Sequence, residues 1–412
     1  MTTLFRFEES RRVQVKEQRK NFWIFFGLGL WGIFLLSLTI RNILRPNDVG
    51  DTGVYLAGAR HWIEGVALYT YEQNIGFVYS PFAAICYTPL TLVPPFVART
   101  LWQFFSAAIL LIGFAGICKY GPFPGINGRL LAAGLVLLLP LSMHNFVESQ
   151  ANALVIGFMM IAVTAVSLER WMLAAIAIGI AVYWKVYPIV VAMLFILIAP
   201  TQMTWRLLLV FLMMALIPFA CQKASYVLEQ YQLWYATRIQ DNRLNYPLKI
   251  APLDLWYLLV RRARLPISET AYQIFRVLSG AAIAWFCIVG RLRKWPSERI
   301  LGGMFSFVCA WIILFGPASE NETYLLLAPA IVLGVLESLS LPSPTISRSL
   351  ILSAYLLLFF MMGIRQAFFP TARLSFLLPF QPIAAVCFLG YALLYYCSGK
   401  HWNSSYSRNK AQ

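Results

Sequence analysis

Long apolar runs alternate with short polar ones along the whole chain. The runs cover about 21–40, 97–117, 130–143, 151–168, 172–199, 206–221, 273–289, 300–315, 323–336, 350–363 and 376–397. A helix needs roughly 20 apolar residues to cross a hydrocarbon core of about 30 Å. Each run therefore predicts one crossing, except 172–199, which is long for one helix and short for two. Lys185 and Pro188 interrupt it. The interruption predicts two short helices meeting at 184–188, with one long kinked helix as the alternative. Broken helices persist in membranes where the freed backbone groups face protein or water. The count becomes about twelve spans, and the expected fold class is an all-α polytopic membrane protein.

Two segments do not follow this pattern. Residues 41–96 are too polar to cross and too apolar for a free loop, and their parts 48–68 and 82–93 suit short amphipathic helices at the interface. Residues 222–272 form a second long stretch without a span. The expected organisation is a basic cytoplasmic tail (1–20), one transmembrane domain (21–397) with extracytoplasmic loops at 41–96 and 222–272, and a short cytoplasmic tail (398–412).

Composition supports this reading. Of the 412 residues 60% are hydrophobic and 12% charged, against about 25% charged in soluble domains. The formal charge of +16 does not point to nucleic acid, because the bases are spread through short loops. Twelve spans place Lys119, Arg129, Arg170, Arg206, Arg291, Arg293, Lys294 and both tails on one side, the cytoplasmic one by the positive-inside rule. Eleven spans would send Arg291, Arg293 and Lys294 outside. The basic 222–272 segment falls on the outer side, against the rule. Long segments obey it less, and cations near lipid phosphates have a use. The seven cysteines contain no Cys-x-x-Cys pair, so small buried hydrophobes are expected, and neither a disulfide framework nor zinc. The charged first twenty residues, with no small-residue cleavage site after the first apolar run, do not read as a cleaved signal.

The same count collects Asp48, Asp51, Glu148, Gln150, Asn152, Lys185, Glu320, Glu322 and Arg365 at the extracytoplasmic face. Ionisable groups at membrane depth are by default a functional-site hypothesis. Asp51 can serve as a general base towards an acceptor hydroxyl or as a helix N-cap. Asp48 and Asp51 together can be read as a metal pair, though no nearby histidine supports it. Lys185 at the tip of a broken helix calls for an anion such as a departing phosphate, or snorkels to the boundary. Arg238 and Arg243 offer guanidinium forks to phosphate or form a solvated loop face, in a stretch that also holds Asp241, Asn242 and Lys249. Gln150 and Asn152, beside Glu148, can bond sugar hydroxyls or join helices. Tyr55 and Tyr79 can stack on a sugar or anchor the boundary. Glu320 and Glu322 can bind an acceptor or be plain loop acids. His144 fits a satisfied structural histidine. No Gly-rich phosphate loop, Gly-x-Ser-x-Gly or His-Glu-x-x-His occurs.

In order, Asp51-x-x-Val54-Tyr55, Gly65-x-x-x-Tyr69, Tyr79-x-Pro81, Thr88-Pro89-Leu90, Gln150-x-Asn152 and Lys185-x-x-Pro188 resemble glycosyltransferase family 87, the polyprenyl-phosphate-sugar-dependent transferases of the GT-C superfamily (the DUF2029 family). Ser149 stands where the family's Gly-Gln-x-Asn element has glycine. The resemblance spans about 21–397. It implies a GT-C fold, a polyprenyl-phosphate sugar donor with mannose favoured, a lipid or glycan acceptor, extracytoplasmic chemistry, no cofactor and no obligatory metal. It implies Asp51 over Asp48 as base, with an inverting transfer. Characterised mannosyltransferases of this kind tend to carry histidine in the late Ser-containing loop, where this chain has Glu320-Asn321-Glu322, so a pentose donor stays open. The rival reading is a polytopic transporter or lipid flippase, which would place charges at the midplane within inverted repeats. A non-catalytic membrane assembly partner is the third.

Overall fold

A computed structural model describes residues 2–69, 76–123, 125–240, 244, 246–247, 251–316, 319–341, 344–365 and 379–398, with side chains from residue 22 onward except those of 240, 364 and 365. Arg243, Asp241, Asn242 and Lys249, the side chain of Arg365 and the tail from 399 lie outside the described residues. No strand occurs among the described residues.

The helices are α1 (Thr2–Leu44), α2 (Thr52–Glu64), α3 (Pro81–Tyr87), α4 (Pro95–Tyr120), α5 (Gly128–Glu148), α6 (Asn152–Ser167), α7 (Trp171–Trp184), α8 (Ile189–Ile198), α9 (Pro200–Cys221), α10 (Ala224–Gln240), α11 (Glu269–Leu292), α12 (Ser297–Phe315), α13 (Ala328–Ser340), α14 (Thr345–Leu358) and α15 (Phe380–Ala392). π-helical turns extend α14 over Phe359–Arg365 and α15 over Leu393–Cys397. Among the described residues eight helices are long and apolar enough to cross a membrane, and five apolar ones are shorter. With Pro81–Leu92 set aside as part of the first loop, twelve remain, the number the hydrophobic pattern predicts. α2 and α3 occupy the two parts of 41–96 expected to be short helices.

α6, α12 and α13 carry apolar residues on all sides and are enclosed by the others, as helices without a polar face must be. α4 and α6 touch backbone to backbone: a Cβ on Gly157 would lie 2.7 Å from the Ile109 carbonyl oxygen. Small residues allow such approach where lipid gives helices little hydrophobic drive to associate.

The bundle has two distinct ends. At one, the turn before α2 meets the α5–α6 turn: the Asp51 amide donates to the Glu148 carbonyl at 2.9 Å. At the other, Arg299 at the start of α12 donates to the Tyr396 carbonyl at 2.9 Å. α7 and α8 run between these ends and back. α7 stops at Trp184, Lys185 is extended, and α8 starts after Pro188. At the tail of α8 the Leu197 carbonyl accepts from Arg291, at the tail of α11. Two short helices, not one kinked helix, fill 172–199.

α1 begins at Thr2, so the basic stretch ahead of the first span is helical; its Glu, Gln, Arg and Lys residues are good helix formers. One expectation needs correction. Cys221 and Cys397 are exposed at helix ends, while Cys118, Cys287 and Cys309 are buried.

Candidate functional site

The site forms where the turn before α2, the α5–α6 turn, the α7–α8 turn and the loop after α12 come together. Gly50 permits the first contact. It has φ +51°, and a Cβ there would sit 2.7 Å from the Glu148 carbonyl oxygen. Arg99 of α4, almost fully buried, ties the same turns together. Its Nε donates to Ser149 Oγ at 2.9 Å, and its other nitrogens reach the Asp48 and Val147 carbonyl oxygens. Sequence reasoning missed Arg99; its place near the start of an apolar helix was the available signal. Ser149 has φ +63°, a left-handed conformation that favours glycine. This accounts for the glycine of the family element. Here the serine hydroxyl is instead held by Arg99 and by Gln103 Nε2 at 3.1 Å.

Asp51 stands at the N-cap position of α2, yet its side chain makes no capping bond. Burial pushes its carboxyl up to about 6. Lys185 opposes the shift, and Glu322, Glu320 and Glu148 add to it. An uncapped, desolvated carboxylate among charged neighbours has the character of an acid–base group. Beside it runs a polar chain. Lys185 Nζ donates to Asn152 Oδ1 at 2.7 Å, and Asn152 Nδ2 donates to Gln150 Oε1 at 2.7 Å. Lys185 thus turns into the protein and does not snorkel, and it lies 5.9 Å from the Tyr187 ring centroid. The Gln150 backbone is pinned by Asn145, whose Nδ2 donates to the Gln150 carbonyl at 2.9 Å.

The late loop closes the site. Its Ser319 carbonyl accepts from the Leu253 amide at 2.6 Å, and Ser319 Oγ donates to the Ile313 carbonyl at 2.7 Å. Glu320 and Glu322 thereby become neighbours of Asp51. Glu322 pairs with His144 Nε2, from α5. His144 is satisfied, as expected, but it spends its bond on a site acid.

Several expected ligands have other work. The Asp48 carboxylate pairs with Arg41 at 2.7 Å and Arg99 at 3.3 Å, so it braces the turn. Among the described residues no cluster could hold a metal ion. Tyr55 is fully buried. Its hydroxyl accepts from the Ala151 amide at 3.1 Å and lies 3.2 Å from the Tyr79 hydroxyl, and its ring stacks on Tyr87 with centroids 4.5 Å apart. Tyr55 and Tyr79 form the floor of the site, with no ring face open to a sugar or to lipid. Arg238, on α10, has Tyr69 as a charge neighbour. Arg243 lies outside the described residues.

The arrangement offers a carboxylate, a cation and two amides at one end of a helical membrane bundle, groups that can take up a proton, hold an anion and bond hydroxyls. Over 181 residues the chain is 30% identical to a polyprenol-phosphate-mannose-dependent alpha-(1-2)-phosphatidylinositol pentamannoside mannosyltransferase of Mycobacterium tuberculosis (strain CDC 1551 / Oshkosh), covering 39% of this chain and 40% of that relative. The chain thus matches less than half the length of that curated relative. The profile of glycosyltransferase family 87 matches residues 77–317, more than half of the chain and including the Gln150, Asn152 and Lys185 positions. The chain belongs to glycosyltransferase family 87.

Proposed function

We propose that this glycosyltransferase moves one sugar, mannose favoured, from a polyprenyl-phosphate donor to a lipid or glycan acceptor at the extracytoplasmic face. The observation that carries the reading is Asp51: a desolvated carboxylate at a helix start that it does not cap, within electrostatic reach of Lys185. The relative's name supports a polyprenol-phosphate mannose donor and a glycolipid acceptor.

In the transfer the acceptor hydroxyl oxygen attacks the anomeric carbon and its proton passes to Asp51. The bond from that carbon to the phosphate oxygen breaks, and the electron pair leaves with the phosphate, which needs no proton. One base therefore suffices, and the anomeric configuration inverts. Lys185 has further N–H donors beyond the one on Asn152, and it neutralises the leaving charge. Arg238 is the second cation of the reading. Gln150 Nε2 faces a sugar oxygen, since its Oε1 is occupied by Asn152. Glu148, Glu320 and Glu322 border the acceptor.

The test is sugar transfer by purified protein in nanodiscs, with radiolabelled polyprenyl-phosphate mannose and a crude lipid extract as acceptor. A labelled product that vanishes in Asp51→Asn supports the reading. Product that persists in Asp51→Asn overturns Asp51 as base. Absence of product with mannose and appearance with a polyprenyl-phosphate pentose replaces the sugar and keeps the chemistry.

A further inference from the structure

We propose that His144 is a positioning residue of this site, one that holds the Glu322 carboxylate at the Asp51 end of the bundle so that Glu322 supports Asp51 as a base against the pull of Lys185. The proposal rests on the reading of Asp51 as the base.

His144 lies one turn before the end of α5, and Glu322 opens the short 3-10 turn after α12. Their side chains touch through Nε2 and Oε1, and they are 14% and 13% exposed. So enclosed a pair is little screened by water. Burial alone would favour a protonated Glu322. The contact with His144 outweighs burial and holds the carboxyl below its usual range, with Lys185 adding to the effect. The contact therefore fixes a charge as well as a rotamer.

That charge bears on Asp51. The Asp51 amide bonds to the carbonyl of Glu148, one helical turn beyond His144, which pairs with Glu322, and facing Asp51 are Lys185 from the α7–α8 turn, Glu322 and Glu320 from the late loop and Glu148 from α5. Tyr55 of α2, Tyr79 just before α3 and Tyr87 at the end of α3 also border it. Lys185 favours the ionised carboxylate and so makes it a weaker base. The three acids oppose Lys185, and Glu322 is the largest contributor among them. Facing Glu322 are His144 and Lys185. Without its charge Glu322 no longer opposes Lys185, and Asp51 gives up its proton at lower pH. Without His144 the buried Glu322 takes up a proton more readily, with the same result. A pair that merely fastened α5 to the loop would change stability and leave the titration of Asp51 alone.

The experiment is kcat/KM against pH in nanodiscs with polyprenyl-phosphate mannose, because its acid limb reports the base of the free enzyme. Wild type is compared with Glu322→Gln and His144→Leu. Both neutral variants are expected to move the acid limb to lower pH and to reduce the plateau roughly 3- to 30-fold, a part of the roughly 100- to 10,000-fold that general acid–base catalysis contributes. A limb that stays in place in the neutral variants, with only the melting temperature lowered, overturns the proposal. If one neutral variant does not fold, the other decides. Asp51→Asn is run alongside. Loss of transfer there with an unmoved limb in Glu322→Gln removes the positioning role and keeps the base, whereas transfer that survives Asp51→Asn removes both.

Discussion

Asp51 is held in a place that suits catalysis better than stability. Its carboxyl is raised from 3.8 to about 6, mainly by burial. For an acid raised on folding, the folded state prefers the neutral form. The cost of ionisation is absent below about pH 3.8, grows as pH rises and is complete above about pH 6. At neutral pH it reaches about 3 kcal/mol at most. Asp51→Asn is therefore expected to melt higher than wild type at pH 7.5, with the gap closing as pH falls towards 4, while transfer drops at least about 100-fold. Thermal melts across pH beside the transfer assay check both; a variant that melts lower at pH 7.5 refutes the stability half. Asp51 and Lys185 were legible in the sequence because each is an expensive residue beside a helix break. Arg99 and the partnership of His144 with Glu322 were not, because their partners come from helices remote in the chain. On the residues alone Asp48 looks equivalent to Asp51; the family resemblance favours Asp51, and the fold gives Asp48 the partners Arg41 and Arg99.

At the scale of elements, apolar periodicity located the spans and Pro188 located the α7–α8 break. The π-helical turns at the ends of α14 and α15 were not legible, since a widened turn depends on what packs against it. Nor did the pattern show which helices sit at the centre. The α4–α6 contact is the sharpest case. Gly113 and Gly157 face each other so closely that a Cβ on Gly113 would lie 2.5 Å from the Gly157 carbonyl oxygen. Gly157→Val must push α6 off α4, and it is expected to destabilise by the roughly 1–3 kcal/mol or more typical of overpacking. The α5–α6 turn that bears Gln150 and Asn152 would shift with it. Gly32→Ala is the control, because a Cβ there would meet nothing within 4 Å, and a helical Gly→Ala change gains about 0.5–1 kcal/mol. Size-exclusion profiles after stepwise heating compare the two. Equal survival would show that the close approach is dispensable.

For the whole molecule, charge decides which end of the bundle faces which compartment. Lys119, Arg129, Arg170, Arg206, Arg291, Arg293 and Lys294 fall at the end away from Asp51; in the orientation proposed from the positive-inside rule, that end is cytoplasmic. The basic stretch 222–272 lies at the site end and opposes this assignment. The fold weakens the objection. Arg262 donates to the Tyr257 hydroxyl at 2.8 Å and lies over that ring, and Arg261 donates to the Leu244 carbonyl at 3.3 Å. Bases bound within a folded element are poor topology signals beside bases in short exposed loops. Glu64, at the end of α2, and Lys294, after α11, are exposed at opposite ends. In a cysteine-free background, Glu64→Cys is expected to react with a membrane-impermeant maleimide on intact cells, and Lys294→Cys only after permeabilisation. The reverse pattern would turn the protein over and put the site in the cytoplasm, where a lipid-linked donor would have to be presented from the inner leaflet. Labelling of both positions from one side would break the alternation of twelve helices that brings Asp51, Lys185 and Glu322 to the same end.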